Sequence, residues 1–169
     1  MSFQRWLDHR SRERMAERVS AASYGTVLII ATLLVVESDD VASGWGWELV
    51  AGVGVATWIA HLFAEVLGDH VRTAEAHAAH ELRRAMVDGL PILLAAVLPG
   101  LALGLGRIGL FAPRQALWIG VCAALLQLIV LGAFVGAAVP DGRNSSWRYA
   151  AATSAFGIAV VILLVALGH

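Results

Sequence analysis

Long apolar runs separated by short charged stretches organise this chain. The runs cover residues 19–36, 47–67, about 90–106, 116–139 and 147–167. A helix needs about 20 mainly apolar residues to cross about 30 Å of hydrocarbon. The pattern therefore predicts an all-α, polytopic membrane protein with five transmembrane helices. Within the runs apolar positions are continuous and do not alternate with polar ones, which excludes a β-barrel. The acidic Glu37, Asp39 and Asp40 close the first run, and Pro140 closes the fourth. Asp88 is expected to N-cap the third span, with Pro91 in its first turn, where a missing N–H is harmless. Pro99, beside Gly100, is expected to kink that span. Trp45, Trp47, Trp118 and Trp147 fall at or near span ends, where interfacial anchors sit.

Composition agrees with the pattern. The 169 residues are 59% hydrophobic and 15% charged, with a mean hydropathy of +0.73. An ordinary soluble domain has about 45–50% apolar and about 25% charged residues. A soluble enzyme, a nucleic-acid binder and a disulfide scaffold are thereby excluded. Net charge is −1, so there is no overall basic field for nucleic acid. The single Cys122 lies in an apolar run and is read as a small buried apolar residue. All 12 basic residues are Arg, a usage that suits a GC-rich genome.

The Arg positions predict orientation. Arg5, Arg10, Arg12, Arg14 and Arg18 precede the first span; Arg72, Arg83 and Arg84 follow the second; Arg143 and Arg148 follow the fourth. Only Arg107 and Arg114 fall on the other side, with the acidic segment 37–48. The positive-inside rule puts the N-terminus in the cytoplasm and the C-terminus outside. The expected organisation is a cytoplasmic amphipathic arm over residues 1–18 and a single membrane domain over 19–169. The second helix is expected to continue into the cytoplasm across 68–86, unbroken to about Arg84. In the arm, Phe3, Leu7, Met15 and Val19 share one helical face, an interfacial pattern. A bacterial cytoplasmic membrane is the expected location.

Candidate chemistry clusters at the end of the second span. His61, Glu65 and Asp69 are spaced by four and share a helix face. His70, His77, His80 and Glu81 follow. Four of the six His and four carboxylates fall within 61–81. Imidazole and carboxylate together suit Fe, Mn, Zn or Ni. A carboxylate inside the membrane is costly and is expected to face the bundle or a water path, which draws attention to Glu65. Elsewhere, Gln127 is a candidate helix cross-link, and Ser20, Ser23, Tyr24 and Thr26 give the first span a polar end that lines a path or bonds a neighbour. Glu37, Asp39, Asp40 and Glu48 read as an acidic, solvated outer loop. Gly100-x3-Gly104 and Gly132-x3-Gly136 permit close helix contact, within a chain or in a homodimer.

The end of span two, Glu65-Val66-Leu67-Gly68-Asp69-His70-Val71, resembles the Met-x-Leu-Gly-Glu-Tyr-Val pattern of the vacuolar iron transporter family. Gly89-Leu90 and Val97-Leu98-Pro99 resemble that family's Gly-Leu and Leu-Pro run. The resemblance implies five spans, a cytoplasmic N-terminus and a metal-binding segment between spans two and three. The sequence departs from the family where Tyr24-Gly25 lacks an acidic partner and where Glu65 replaces the metal-binding Met. Span one also looks like the first helix of lysosomal-type potassium channels, with Ala22-Ser23-Tyr24 where those carry Phe-Ser-Asp. The chain resembles small integral membrane proteins of actinobacteria as well. The leading expectation is a divalent-cation transporter or metal-binding membrane protein coupled to protons, with the lipid bilayer as its solvent and a second copy as its partner. An oligomeric channel lined by the first helix and a non-catalytic accessory or scaffold subunit are the alternatives. No Ser-His-Asp, Cys-His or phosphate-loop constellation points to an enzyme.

Overall fold

The computed structural model describes residues 3–72, 78–138 and 145–167. Among these residues all regular structure is helical: α1 (Phe3–Val35), α2 (Ser38–Ser43), α3 (Trp45–Arg72), α4 (Ala78–Asp88), α5 (Leu90–Arg107), α6 (Pro113–Ala138) and α7 (Ser145–Leu167). Among the described residues four stretches are long and apolar enough to cross a membrane: Met15–Val35, Trp45–Gly68, Leu82–Arg107 and Pro113–Ala137. The third joins α4 to α5 with only Gly89 between them. The α1 helix runs without a break from the N-terminal arm into the first span. The side chains of residues 1–14, Phe3 and Leu7 included, lie outside the described residues.

Local chemistry explains the ends. Gly44 takes φ +93° and closes α2, its N–H donating to the carbonyls of Asp40 and Val41. That left-handed conformation costs an L side chain energy and costs Gly nothing. At the other end of α2, Glu37 and Asp40 form a capping box, the Glu37 N–H donating to Asp40 Oδ2 at 2.9 Å. The acidic stretch expected to be a solvated loop is thus partly a capped helix. The α5 helix stops in a Schellman motif: Leu110 N–H bonds Leu105 O, Gly109 N–H bonds Gly106 O, and Gly109 has φ +80°. Pro99 is buried within an unbroken α5.

The bundle is built around α1, which packs against α3, α4, α5, α6 and α7. Ile29, Ile30 and Leu33 on α1 are almost fully buried, with Val50, Leu103, Val121 and Leu128 from its neighbours. Small residues set the closest approaches. A methyl on Gly54 would come within 2.9 Å of Ala96, where α3 meets α5. Large apolar side chains such as Phe63, Leu94, Leu101 and Ile162 point outward. In lipid, burying apolar area between helices gains little, and association depends on close packing of small residues. Small residues at the closest helix approaches, such as Gly54 against Ala96, are what this physics favours. Trp45, Trp47, Trp118 and Trp147 are all exposed near helix starts, as anchors require. Cys122 corrects one expectation: it sits on the outward face of α6, where a small weakly polar residue meets lipid at little cost.

Candidate functional site: the end of the bundle that carries Arg18

The returning helix defines this end. The Trp58 Nε1–H donates to the Met86 carbonyl at 3.3 Å. A straight helix would put those residues about 42 Å apart at 1.5 Å per residue. The chain has therefore turned back by Met86, and the unbroken projection of α3 to Arg84 expected from the sequence does not occur. The helix is continuous through residues 67–72 and is described as far as Arg72. Contacts down the antiparallel pair fix its register. Gly100 lies beside Val50, Gly54 beside Ala96, and Gly89 beside both Trp58 and His61.

His61 and Glu65 are one turn apart, with Nε2 and Oε1 at 3.5 Å and side chains 24% and 30% exposed. Glu65 is thus covered on most of its surface, as a carboxylate near the end of a span requires. His61 is held from the other side, since its Cδ2 would be 3.2 Å from a methyl placed on Gly89. Any larger residue at 89 would push the imidazole and the Trp58 ring away.

Among the described residues the most enclosed charge is Asp88. Its side chain is 5% exposed, and Oδ1 accepts a hydrogen bond from Arg18 Nε at 2.8 Å. Arg84, one turn earlier on α4, brings its own Nε to 3.6 Å of Oδ2. The two Arg side chains are half exposed, so the carboxylate is buried under cations that water still reaches. This corrects the expected N-cap. The residue before α5 is Gly89, with no side-chain cap, and Asp88 spends its acceptors on α1 and α4. A charge-assisted bond from Arg18 together with the Arg84 ion pair outweighs a single backbone N–H.

Of the residues singled out in the sequence, the described structure brings His61 and Glu65 together. Asp69 and His70 lie on α3, and His80 and Glu81 on α4. Their side chains lie outside the described residues, as does His77 entirely. Among the described residues no group of three or more His, Cys, Asp or Glu comes together. The polar groups of α1 turn inward on their own helix: Thr26 and Thr32 hydroxyls donate to the carbonyls four residues back, at 2.8 Å each. Tyr24 is exposed. Gln127 Oε1 is buried and has no hydrogen-bond partner among the described residues. The expected cross-link is not made by that oxygen. Sequence reasoning missed the Arg18–Asp88–Arg84 triad and the Trp58 contact. Only the Arg84–Asp88 spacing of four was a local signal.

The fold and its outward apolar faces make this a multi-pass helical membrane protein. Compared with protein families, curated proteins and solved structures, the chain matches none.

Proposed function

We propose that the protein binds a divalent cation at the Arg-rich end, in competition with protons, as a small five-span transporter or metal-binding protein of a bacterial cytoplasmic membrane. The observation that carries this reading is the His61–Glu65 pair, an imidazole and a carboxylate 3.5 Å apart and mostly covered near the end of a span. Asp69 and His70 follow on the same helix, and His80 and Glu81 belong to α4, which packs against it. Imidazole and carboxylate donors from neighbouring helices hold metals in bundle cores. The resemblance of 65–71 to the vacuolar iron transporter pattern supports the same reading. Protons compete because imidazole must be neutral and carboxylate ionised to ligate. The channel alternative needs α1 to face a pore between copies, and Ile29, Ile30 and Leu33 turn that helix into its own bundle.

The test is a melting series of the purified protein with Mn, ferrous Fe, Co, Ni and Zn. A site filled at 100 times its dissociation constant stabilises by about 2.7 kcal/mol. For a chain of this length that is a rise of roughly 5–10 °C. Glu65→Gln keeps shape and removes charge, so it should abolish the shift and leave the apo melt in place. No shift with any metal overturns the cation reading.

In this reading α7, 23 residues long, is the fifth span, with Arg84 and Arg143 cytoplasmic and Asp40 and His169 outside. Single-cysteine labelling on a Cys122→Ser background should find positions 84 and 143 accessible from one side, and 40 and 169 from the other. A cytoplasmic residue 169 would reduce the spans to four. The homodimer has a suitable face on α3, where Gly52, Ala56, Ala60 and Ala64 form an exposed row of small residues.

A further inference from the structure

At the opposite end of the bundle a trough of about 570 Å³ opens between α3 and α5. We propose that it binds one anionic phospholipid, with one of its two acyl chains in the trough and the phosphate at Arg107.

The floor is made by glycine. A methyl on Gly104 would meet nothing within 4 Å, and one on Gly100 would reach only Val50 at 3.8 Å. The walls are apolar, with Val55 on α3 and Leu93 and Leu101 on α5. From Leu93 to Ile108, the lining residues furthest apart on α5, the rise is about 22 Å at 1.5 Å per residue. One leaflet of hydrocarbon is about 15 Å deep, half of about 30 Å. The trough therefore takes an extended chain over the whole depth of its leaflet. Such length has no use for a small polar ligand.

The head end is where selectivity arises. Trp47 and Arg107 both line the trough there. The Arg107 guanidinium lies against Gly44, close enough that a methyl on that glycine would meet Nη1 at 2.5 Å. Gly44 is the C-cap of α2, so the cation sits at the negative end of that short helix. The α2 carboxylates are not its partners. Asp40 is engaged with the Glu37 N–H at the far end of α2. Among the described residues no carboxylate lies within ion-pair distance of Arg107. An exposed cation with no carboxylate partner among the described residues, at the mouth of a chain-length apolar trough and beside an interfacial Trp, complements an anionic head group. A zwitterionic lipid offers the same chain and phosphate, but its own ammonium competes for that phosphate.

The test is native mass spectrometry of detergent-purified protein after equal exposure to phosphatidylglycerol and phosphatidylcholine of matched chains. Wild type should retain one phosphatidylglycerol per chain, at least fivefold over phosphatidylcholine. Arg107→Gln should bring that ratio to about one while chain binding persists. Gly104→Leu fills the floor and should reduce retention of both lipids with Arg107 intact. Both variants should keep the metal response of the wild type, so this test stands apart from that at His61 and Glu65. Equal retention of the two lipids by wild type, or an unchanged ratio in Arg107→Gln, overturns the proposal. So does a lipid-free dimer joined through this trough.

Discussion

Arg18→Ala should destabilise the protein more than Asp88→Asn, although both remove the same ion pair. The asymmetry lies in burial. The Asp88 side chain is 5% exposed, and that of Arg18 is 50% exposed. Truncating Arg18 leaves a buried carboxylate with one cation, Arg84, at 3.6 Å. Removing one partner of a fully buried pair costs about 3–5 kcal/mol. Here the remaining Arg and the wet rim reduce that to about 2 kcal/mol, or roughly 4–8 °C of melting temperature for a chain of this length. Asp88→Asn leaves two guanidinium groups that water already reaches, and the amide oxygen still accepts from Arg18 Nε. Its cost should stay near 1 kcal/mol, the worth of one hydrogen bond. The double variant Arg18→Ala/Asp88→Asn should then melt above Arg18→Ala alone, because the stranded charge is gone. Thermal melts of the four proteins in one detergent decide the matter. If Asp88→Asn proves the worse single variant, the carboxylate has a task beyond pairing with Arg18.

The readable part of this fold was the part set by local pattern. Runs of about 20 apolar residues became helices because a backbone in lipid has no other way to satisfy its hydrogen bonds. Four of the runs correspond to stretches able to span a membrane. The exposed Trp anchors were readable for the same reason, since they respond to the interface and not to a neighbour. Asp88 was misread because its context is not local. An acid just before Gly89, Leu90 and Pro91 has every sign of a cap, and the partner that overrules it is 70 positions away. The turn between α3 and α4 was missed because 69–85 contains neither Gly nor Pro. The return is enforced by contacts of Trp58 with Met86 and Gly89, which no periodicity reveals. In contrast, α2 was legible in principle. Glu37 and Asp40 stand at capping-box spacing, and Gly44 is a C-cap in waiting. The charge run was read for its field and not for its hydrogen bonds. At the site, i, i+4 spacing correctly joined His61 to Glu65.

Two glycines in the last turn of α5 should respond to the same substitution with opposite signs. A Cβ on Gly106 would fall 2.5 Å from Ala116 Cβ and 2.9 Å from Val41 Cγ1. Val41 belongs to α2 and Ala116 to α6, and both are buried to 1% exposure or less. Val41 can turn its side chain, but an alanine methyl has no rotamer to escape into. The backbones of α5 and α6 must then separate at a point where the packing of small residues is the main attraction between them. Overpacking costs typically 1–3 kcal/mol, against about 1 kcal/mol returned by helix propensity. Gly106→Ala should therefore lose up to about 2 kcal/mol net, or as much as roughly 8 °C. Gly104 is two residues earlier on the same helix, and its added methyl would meet nothing within 4 Å. Gly104→Ala should keep the propensity gain and melt a few degrees above wild type. Melting both variants in lipid-free detergent isolates packing from any occupant of the trough. If Gly106→Ala melts with or above wild type, α5 and α6 do not approach each other as closely as the bundle requires. The central position of α1, wedged between them through Leu33 and Gly120, would then need to be redrawn.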